Sequence, residues 1–139
     1  KNFFSGFENL MLMETGGMKG RRKEMIRKDV HAVLKEKTGI RTVHSEYGMT
    51  ELMSQAYSKG AGKFFTPPWM KIHIRSIHDP LSHEPAGKTG AVNVIDLANI
   101  SSCAFISTHD LGRIIDDGSF EILGRMDNSD IRGCNLMID

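Results

Sequence analysis

The run Glu46-Tyr47-Gly48-Met49-Thr50-Glu51 holds the side chains of this sequence best suited to chemistry. An aromatic ring at Tyr47 can cover a purine face, and Gly48 lets a ligand approach the backbone closely. Thr50 can donate its hydroxyl to a phosphate at a helix start. Glu51 can hold magnesium against phosphate oxygens, because that hard cation takes carboxylate oxygen and water. The same two residues have a plainer use: Thr50 as an N-cap and Glu51 as a first-turn acid complement a helix dipole without any ligand.

Other reactive residue types are less organised. His73, His78 and His83 recur at every fifth position, a spacing that fits neither a helix face nor strand alternation, so three rings are not expected to converge on a metal. Cys103 and Cys134 lack an activating neighbour in sequence and read as buried structural thiols. Asp110, two residues before Gly112, suits a surface turn when read alone. Arg125 after Gly124 suits a solvated strand end.

These residues need elements to position them. Leu10 to Met13 form a short apolar run that stops at Glu14-Thr15-Gly16-Gly17, as a buried strand running into a glycine turn does. From Arg21 to Lys37, Met25, Ile26, Val30, Val33 and Leu34 recur at helical spacing, with Gly39 as a left-handed stop. The many basic residues of this helix read as a solvated face, since no aromatic residues are interleaved for base stacking. Ile40 to His44 suit a strand, Ser45 to Gly48 a loop, and Thr50 to Ala56 a second helix. That succession places the loop at the carboxyl end of a strand, where open α/β sheets bind ligands.

Beyond Gly60 and Gly62 the pattern changes. Short β-like runs (Met70 to Ile77, Gly90 to Leu97, Ala104 to Ser107 and Phe120 to Leu123) are divided by Pro and Gly turns. The fold class expected is α/β, or more loosely α+β: strand–helix units followed by a small twisted sheet or partial barrel. The α/β part covers about 1–62 and the mostly β part about 63–139, within one compact unit.

Composition narrows the partners. A chain of 139 residues with 40% hydrophobic and 25% charged residues is that of an ordinary globular domain. No apolar run is long enough to span a bilayer as a helix. A formal net charge of +1 leaves no surplus of cations to drive binding to a phosphate polymer. Two cysteines far apart in sequence frame neither a zinc site nor a disulfide scaffold, which fits a reducing cytoplasm.

Three segments in order resemble the acyl-adenylate-forming, AMP-binding superfamily: Thr15 to Gly20, Glu46 to Glu51, and Thr108-His109-Asp110 followed by Gly124-Arg125-Met126-Asp127. Finer features are similar to the branch of LuxE-type acyl-protein synthetases, with phenylacetate-CoA ligases and coenzyme-adenylating synthetases as neighbours. These features are Thr15 to Arg21, Glu46 to Tyr57, Pro67-Pro68-Trp69 and Ile131 to Cys134.

The resemblance implies the distal part of an adenylate-forming large domain. It implies ATP or AMP and Mg2+ as cofactors, a carboxylic acid substrate, and CoA or a protein as acyl acceptor. Gly16, Gly17, Glu46, Tyr47, Gly48 and Met49 would line the nucleotide. Asp110 would accept from ribose hydroxyls, for which a carboxylate suits two vicinal donors, and Arg125 would reach the same sugar. Thr50 and Glu51 would be catalytic, with Glu51 on the metal, and Asp127 would be the hinge to a small mobile domain. The family's phosphate-holding loop is expected before Lys1 and its lysine-bearing small domain after Asp139, so the chain alone is expected to be inactive. A non-catalytic nucleotide- or acyl-binding module of the same fold is the alternative.

Overall fold

The computed structural model describes residues 10–16 and 27–126. One sheet dominates, built from β1 (Leu12–Glu14), β2 (Val43–Tyr47), β3 (Ala56–Ser58), β4 (Phe64–Phe65), β5 (Met70–Arg75), β6 (Gly90–Asp96), β7 (Phe105–Ile114) and β8 (Phe120–Arg125). Helix α1 (Arg27–Thr38) lies between β1 and β2, and a short 3-10 turn (Leu97–Asn99) follows β6. The strands order as β1-β2-β3-β4-β8-β7-β6-β5. The architecture is α+β, with the expected strand–helix unit at one sheet edge and antiparallel strands filling the rest.

Only β1 and β2 run parallel, with Leu12 opposite Val43 and Glu14 opposite Ser45. A parallel pair needs a long crossover, and α1 lies in it. The helix ends where expected: Gly39 takes φ 73° and its N–H donates to the Lys35 carbonyl at 2.9 Å, a left-handed C-cap that avoids the Cβ clash of other residues. Its buried side differs from the apolar stripe read in the sequence. Val33 is 43% exposed while His31 is buried, because His31 bonds to Ser45 on β2 at 3.1 Å. The expected start of this helix, 21–26, lies outside the described residues.

The core alternates along the strands as a one-sided sheet requires. Val43 and Tyr47 on β2, Phe64 on β4, Met70, Ile72 and Ile74 on β5, Val92 and Val94 on β6, and Phe120 on β8 are all buried. Phe64 and Phe120 pair across β4 and β8. Their ring centroids are 5.5 Å apart, and Tyr47 meets them edge-on at 6.1 and 5.6 Å. Gly90 and Gly112 face each other across β6 and β7. A Cβ at Gly112 would sit 2.6 Å from the Glu121 carbonyl oxygen and 2.9 Å from Val92 Cγ2, so the backbones approach there as only glycine allows.

Two local expectations are corrected. Ser45, Glu46 and Tyr47 are strand, not loop, since β2 runs from Val43 to Tyr47. Thr50 starts no helix: 50–51 is a turn, and the segment reaches β3 without a helical residue. From Leu52 to Ser58 burial alternates, with Leu52, Ser54, Ala56 and Ser58 inward, which is the period of extended chain. Asp110 lies within β7, and Arg125 closes β8. Among the described residues no helix is long and apolar enough to cross a membrane.

Candidate functional site

Two strands bring the first group of residues to one end of the sheet. Because β1 and β2 are parallel and Glu14 pairs with Ser45, Gly16 and Tyr47 both leave the carboxyl ends of neighbouring strands, the side on which open sheets bind ligands. Gly16 adopts φ 136° and donates its N–H to Glu14 Oε1 at 2.9 Å. Gly17 and Asp127 lie outside the described residues, as does Cys134.

The second group meets the first through a single carboxylate. Asp110 and Arg125 are directly opposed across β7 and β8, and Arg125 Nε stands 3.4 Å from Asp110 Oδ1. The Tyr47 hydroxyl donates to Asp110 Oδ2 at 2.9 Å, across 63 residues of sequence. Asp110 is held in turn by its own N–H, which donates to Thr108 Oγ1 at 3.0 Å, while that hydroxyl donates to the Val92 carbonyl at 2.9 Å. The Asp110 side chain remains 17% exposed, so one edge of the carboxylate faces outward. With one partner on each oxygen, lone pairs remain for two further donors.

Tyr47 contributes differently from the expectation for a purine-covering ring. Its ring is 7% exposed and wedged against Phe64 and Phe120, so its hydroxyl is what reaches the site. Burial, and then the neighbouring Asp110 carboxylate, push the phenol above its ordinary pKa, which keeps it a donor throughout the physiological range. Gly48 likewise serves a packing contact: a Cβ there would lie 2.9 Å from Gln55 Cγ.

Thr50 and Glu51 sit on an exposed turn beyond β2, with Met49 half-buried and Glu46 half-buried on the strand. Among the described residues neither Thr50 nor Glu51 makes a side-chain hydrogen bond or ion pair, and none joins them to Asp110. The described residues contain no group of three or more His, Cys, Asp or Glu that could enclose a metal. Glu51 therefore fits Mg2+ only in the open manner, as one carboxylate beside water and substrate phosphates. His73 and His83 bring their rings to 5.4 Å, and Cys103 is exposed, not buried as expected, with its thiol donating to the Phe105 carbonyl at 3.3 Å.

A serine, a histidine and an acid also assemble beneath α1. Glu14 Oε2 accepts from Arg27 Nε at 3.0 Å and lies 3.6 Å from His31 Nε2, which is 3.1 Å from Ser45 Oγ. Both contacts of the imidazole fall on the same nitrogen and Ser45 is fully buried, so the set cannot relay a proton to an accessible nucleophile. Its role is to fasten α1 to β1 and β2.

Sequence reasoning missed a further set. Asp96 and Asn99, both buried, bond to the segment that follows Thr50 and Glu51. Asp96 carries a local signal, because it caps the 3-10 turn by accepting from the Ala98 N–H at 3.1 Å, a common short-range use of Asp. Nothing in the sequence points to its partners 42 residues earlier.

The family model for LuxE, acyl-protein synthetase, matches residues 1–139. The chain belongs to the LuxE acyl-protein synthetase family. Its fold is that of part of the adenylate-forming enzymes. The LuxE-family chain superposes on ATP-bound MatB from Rhodopseudomonas palustris with a TM-score of 0.59 at 21% identity, covering 83% of this chain and 25% of that one. A benzoate CoA ligase from Burkholderia xenovorans gives 0.51 at 14% identity over 81% of this chain and 25% of that one. The O-succinylbenzoate coenzyme A synthetase MenE from Bacillus subtilis, in complex with AMP, gives 0.50 at 22% identity over 67% and 23%. No curated protein matches the sequence. This LuxE-family chain thus spans about a quarter of the length of these structures.

Proposed function

We propose that this chain forms the nucleotide-facing distal part of an ATP-dependent ligase, which joins a carboxylic acid to ATP, releases pyrophosphate, and passes the acyl group to CoA or a protein thiol. The observation that carries the reading is the meeting of Tyr47 with Asp110 and Arg125, residues from two of the three segments, on one partly exposed carboxylate. Membership of the LuxE family and the likeness to structures solved with ATP and AMP support it.

In this reading Asp110 accepts from two ribose hydroxyls with its outward lone pairs. Tyr47 and Arg125 hold the carboxylate in place, so that it needs no reorganisation when the sugar arrives. Arg125, whose side chain is 74% exposed, is free to swing towards the sugar as well. Gly16, Glu46, Gly48 and Met49 border the base at the carboxyl ends of β1 and β2, and Gly17 is proposed to line it as well. Thr50 donates to a phosphate oxygen, and Glu51 would hold Mg2+, which neutralises phosphate charge when bound. The acid's own oxygen attacks the α-phosphorus, so what the protein supplies is position and charge. Asp127 is proposed as the hinge to a small domain, and the cytoplasm as the compartment.

The test is ATP–pyrophosphate exchange by the intact gene product carrying this chain, supplied with a panel of carboxylic acids. Replacing Asp110 by Asn keeps the shape but removes the charge. Loss of charge-assisted bonds of about 1.5–3 kcal/mol predicts a fall in kcat/KM for ATP of about 10- to 100-fold. Wild-type exchange by the variant would exclude the ribose role. ATP binding without exchange under any acid would favour a binding module.

A further inference from the structure

The segment from Glu51 to Gln55 has the composition of a helix and the burial of a strand, yet among the described residues no strand pairs with it. Two side chains take the place of a neighbouring backbone. The Asn99 amide donates from Nδ2 to the Glu51 carbonyl at 2.7 Å and accepts the Met53 N–H on Oδ1 at 2.8 Å, as one residue of a paired strand would. Asp96 accepts the Ser54 N–H on Oδ2 at 2.9 Å and the Ser54 hydroxyl on Oδ1 at 2.8 Å. The Trp69 indole N–H donates to the same hydroxyl at 2.9 Å.

The consequence is directional. Asn99 brackets Leu52, which is buried, and thereby turns the side chains on either side of it, Glu51 and Met53, outward. Asp96 is fully buried, and a buried carboxylate is tolerated only when its oxygens are satisfied. Here Ser54 and the Ala98 N–H satisfy them, so displacing the segment would strand a charge. Side chains rooted at the end of β6 and in the turn that follows it therefore fix an irregular segment whose backbone would otherwise be free to shift.

We propose that Asp96 and Asn99 are positioning residues, which set the direction of Glu51 and, through the adjoining turn, of Thr50. This rests on the reading of those two residues as the phosphate and magnesium groups. A small shift of a positioned group far from the reacting atoms can cost about 100-fold in rate.

The test is a double-mutant cycle in ATP–pyrophosphate exchange with the intact gene product, using Asn99→Ala, Glu51→Ala and both together. Asn99→Ala is expected to lower kcat about 10- to 100-fold, with KM for ATP changed less than about threefold, and to raise the Mg2+ concentration that half-saturates the thermal shift of the ATP-bound protein measured without any acid substrate. In the Glu51→Ala background the same substitution should lower the rate less than about threefold further, because the clamp then has only Thr50 left to aim. Losses that multiply, or an Asn99→Ala enzyme of wild-type rate beside a crippled Glu51→Ala, would overturn the positioning role while leaving the ligase reading intact. A Glu51→Ala enzyme of wild-type rate would instead remove the reading on which the proposal stands. If Asn99→Ala does not accumulate as folded protein, Ser54→Ala, which deletes only the hydroxyl shared by Asp96 and Trp69, is put through the same cycle with the same outcomes.

Discussion

The bond between Tyr47 and Asp110 can be weighed against the packing that surrounds it. Tyr47→Phe deletes one oxygen and leaves the ring, so the edge contacts to Phe64 and Phe120 persist and no cavity opens in the core. What disappears is a hydroxyl donating at 2.9 Å to a carboxylate, a class of bond worth about 1.5–3 kcal/mol net. The Asp110 side chain is 17% exposed, so water recovers part of that, and about 1–2 kcal/mol of destabilisation is expected. Asp110→Asn removes the charge from the same bond and from Arg125. If the two side chains act on one another, the double variant should be less destabilised than the sum of the single variants by about 1 kcal/mol. Urea unfolding of all four proteins at neutral pH measures this, read from midpoints provided that the slopes agree. Strict additivity would show that the two groups are merely neighbours. It would also remove the physical ground for treating the segments that carry Tyr47 and Asp110 as one site.

Two other outcomes follow from the packing. Gly112→Ala places a Cβ 2.6 Å from the Glu121 carbonyl oxygen, a backbone atom that cannot step aside, so a loss of about 1–3 kcal/mol in urea unfolding is expected, against little effect for Gly124→Ala, where a Cβ meets nothing within 4 Å. His31 has its pKa lowered, by burial first, with Glu14 opposing, and His73 is lowered by burial, then by Lys71 and His83. The unfolded chain therefore binds protons more readily than the folded one: stability should be level above about pH 6.5 and fall as the pH drops below it through the lowered folded values. Denaturation midpoints measured from about pH 7.5 to about pH 5 should decline for the wild type and decline less for His31→Gln; an equal decline would assign the effect elsewhere.

Much of the architecture was legible because it depends on near neighbours in sequence. The alternation in Met70 to Arg75 and Gly90 to Asp96 shows as strands, since side chains two apart share a face whatever lies opposite. Gly39 marked the helix end for an equally local reason, its tolerance of positive φ. The order of three motifs pointed to a family, and the fold and the family model agree with it.

What the sequence could not settle were contacts between distant residues. Thr50 to Ala56, rich in helix formers, reads as helix by propensity, yet Asn99 and Asp96 hold it extended, since paired backbone groups and a buried charge outweigh preferences of a few tenths of a kcal/mol per residue. Val33 was expected inside, but it is His31 that is buried, because Ser45 gives the imidazole a buried partner. The sequence alone therefore determined which side chains were available and the period of most elements. Tertiary structure decided that Tyr47 offers a hydroxyl, not a ring face, and that Asp110 is where distant motifs meet, because both depend on a side-chain hydrogen bond between residues 63 positions apart.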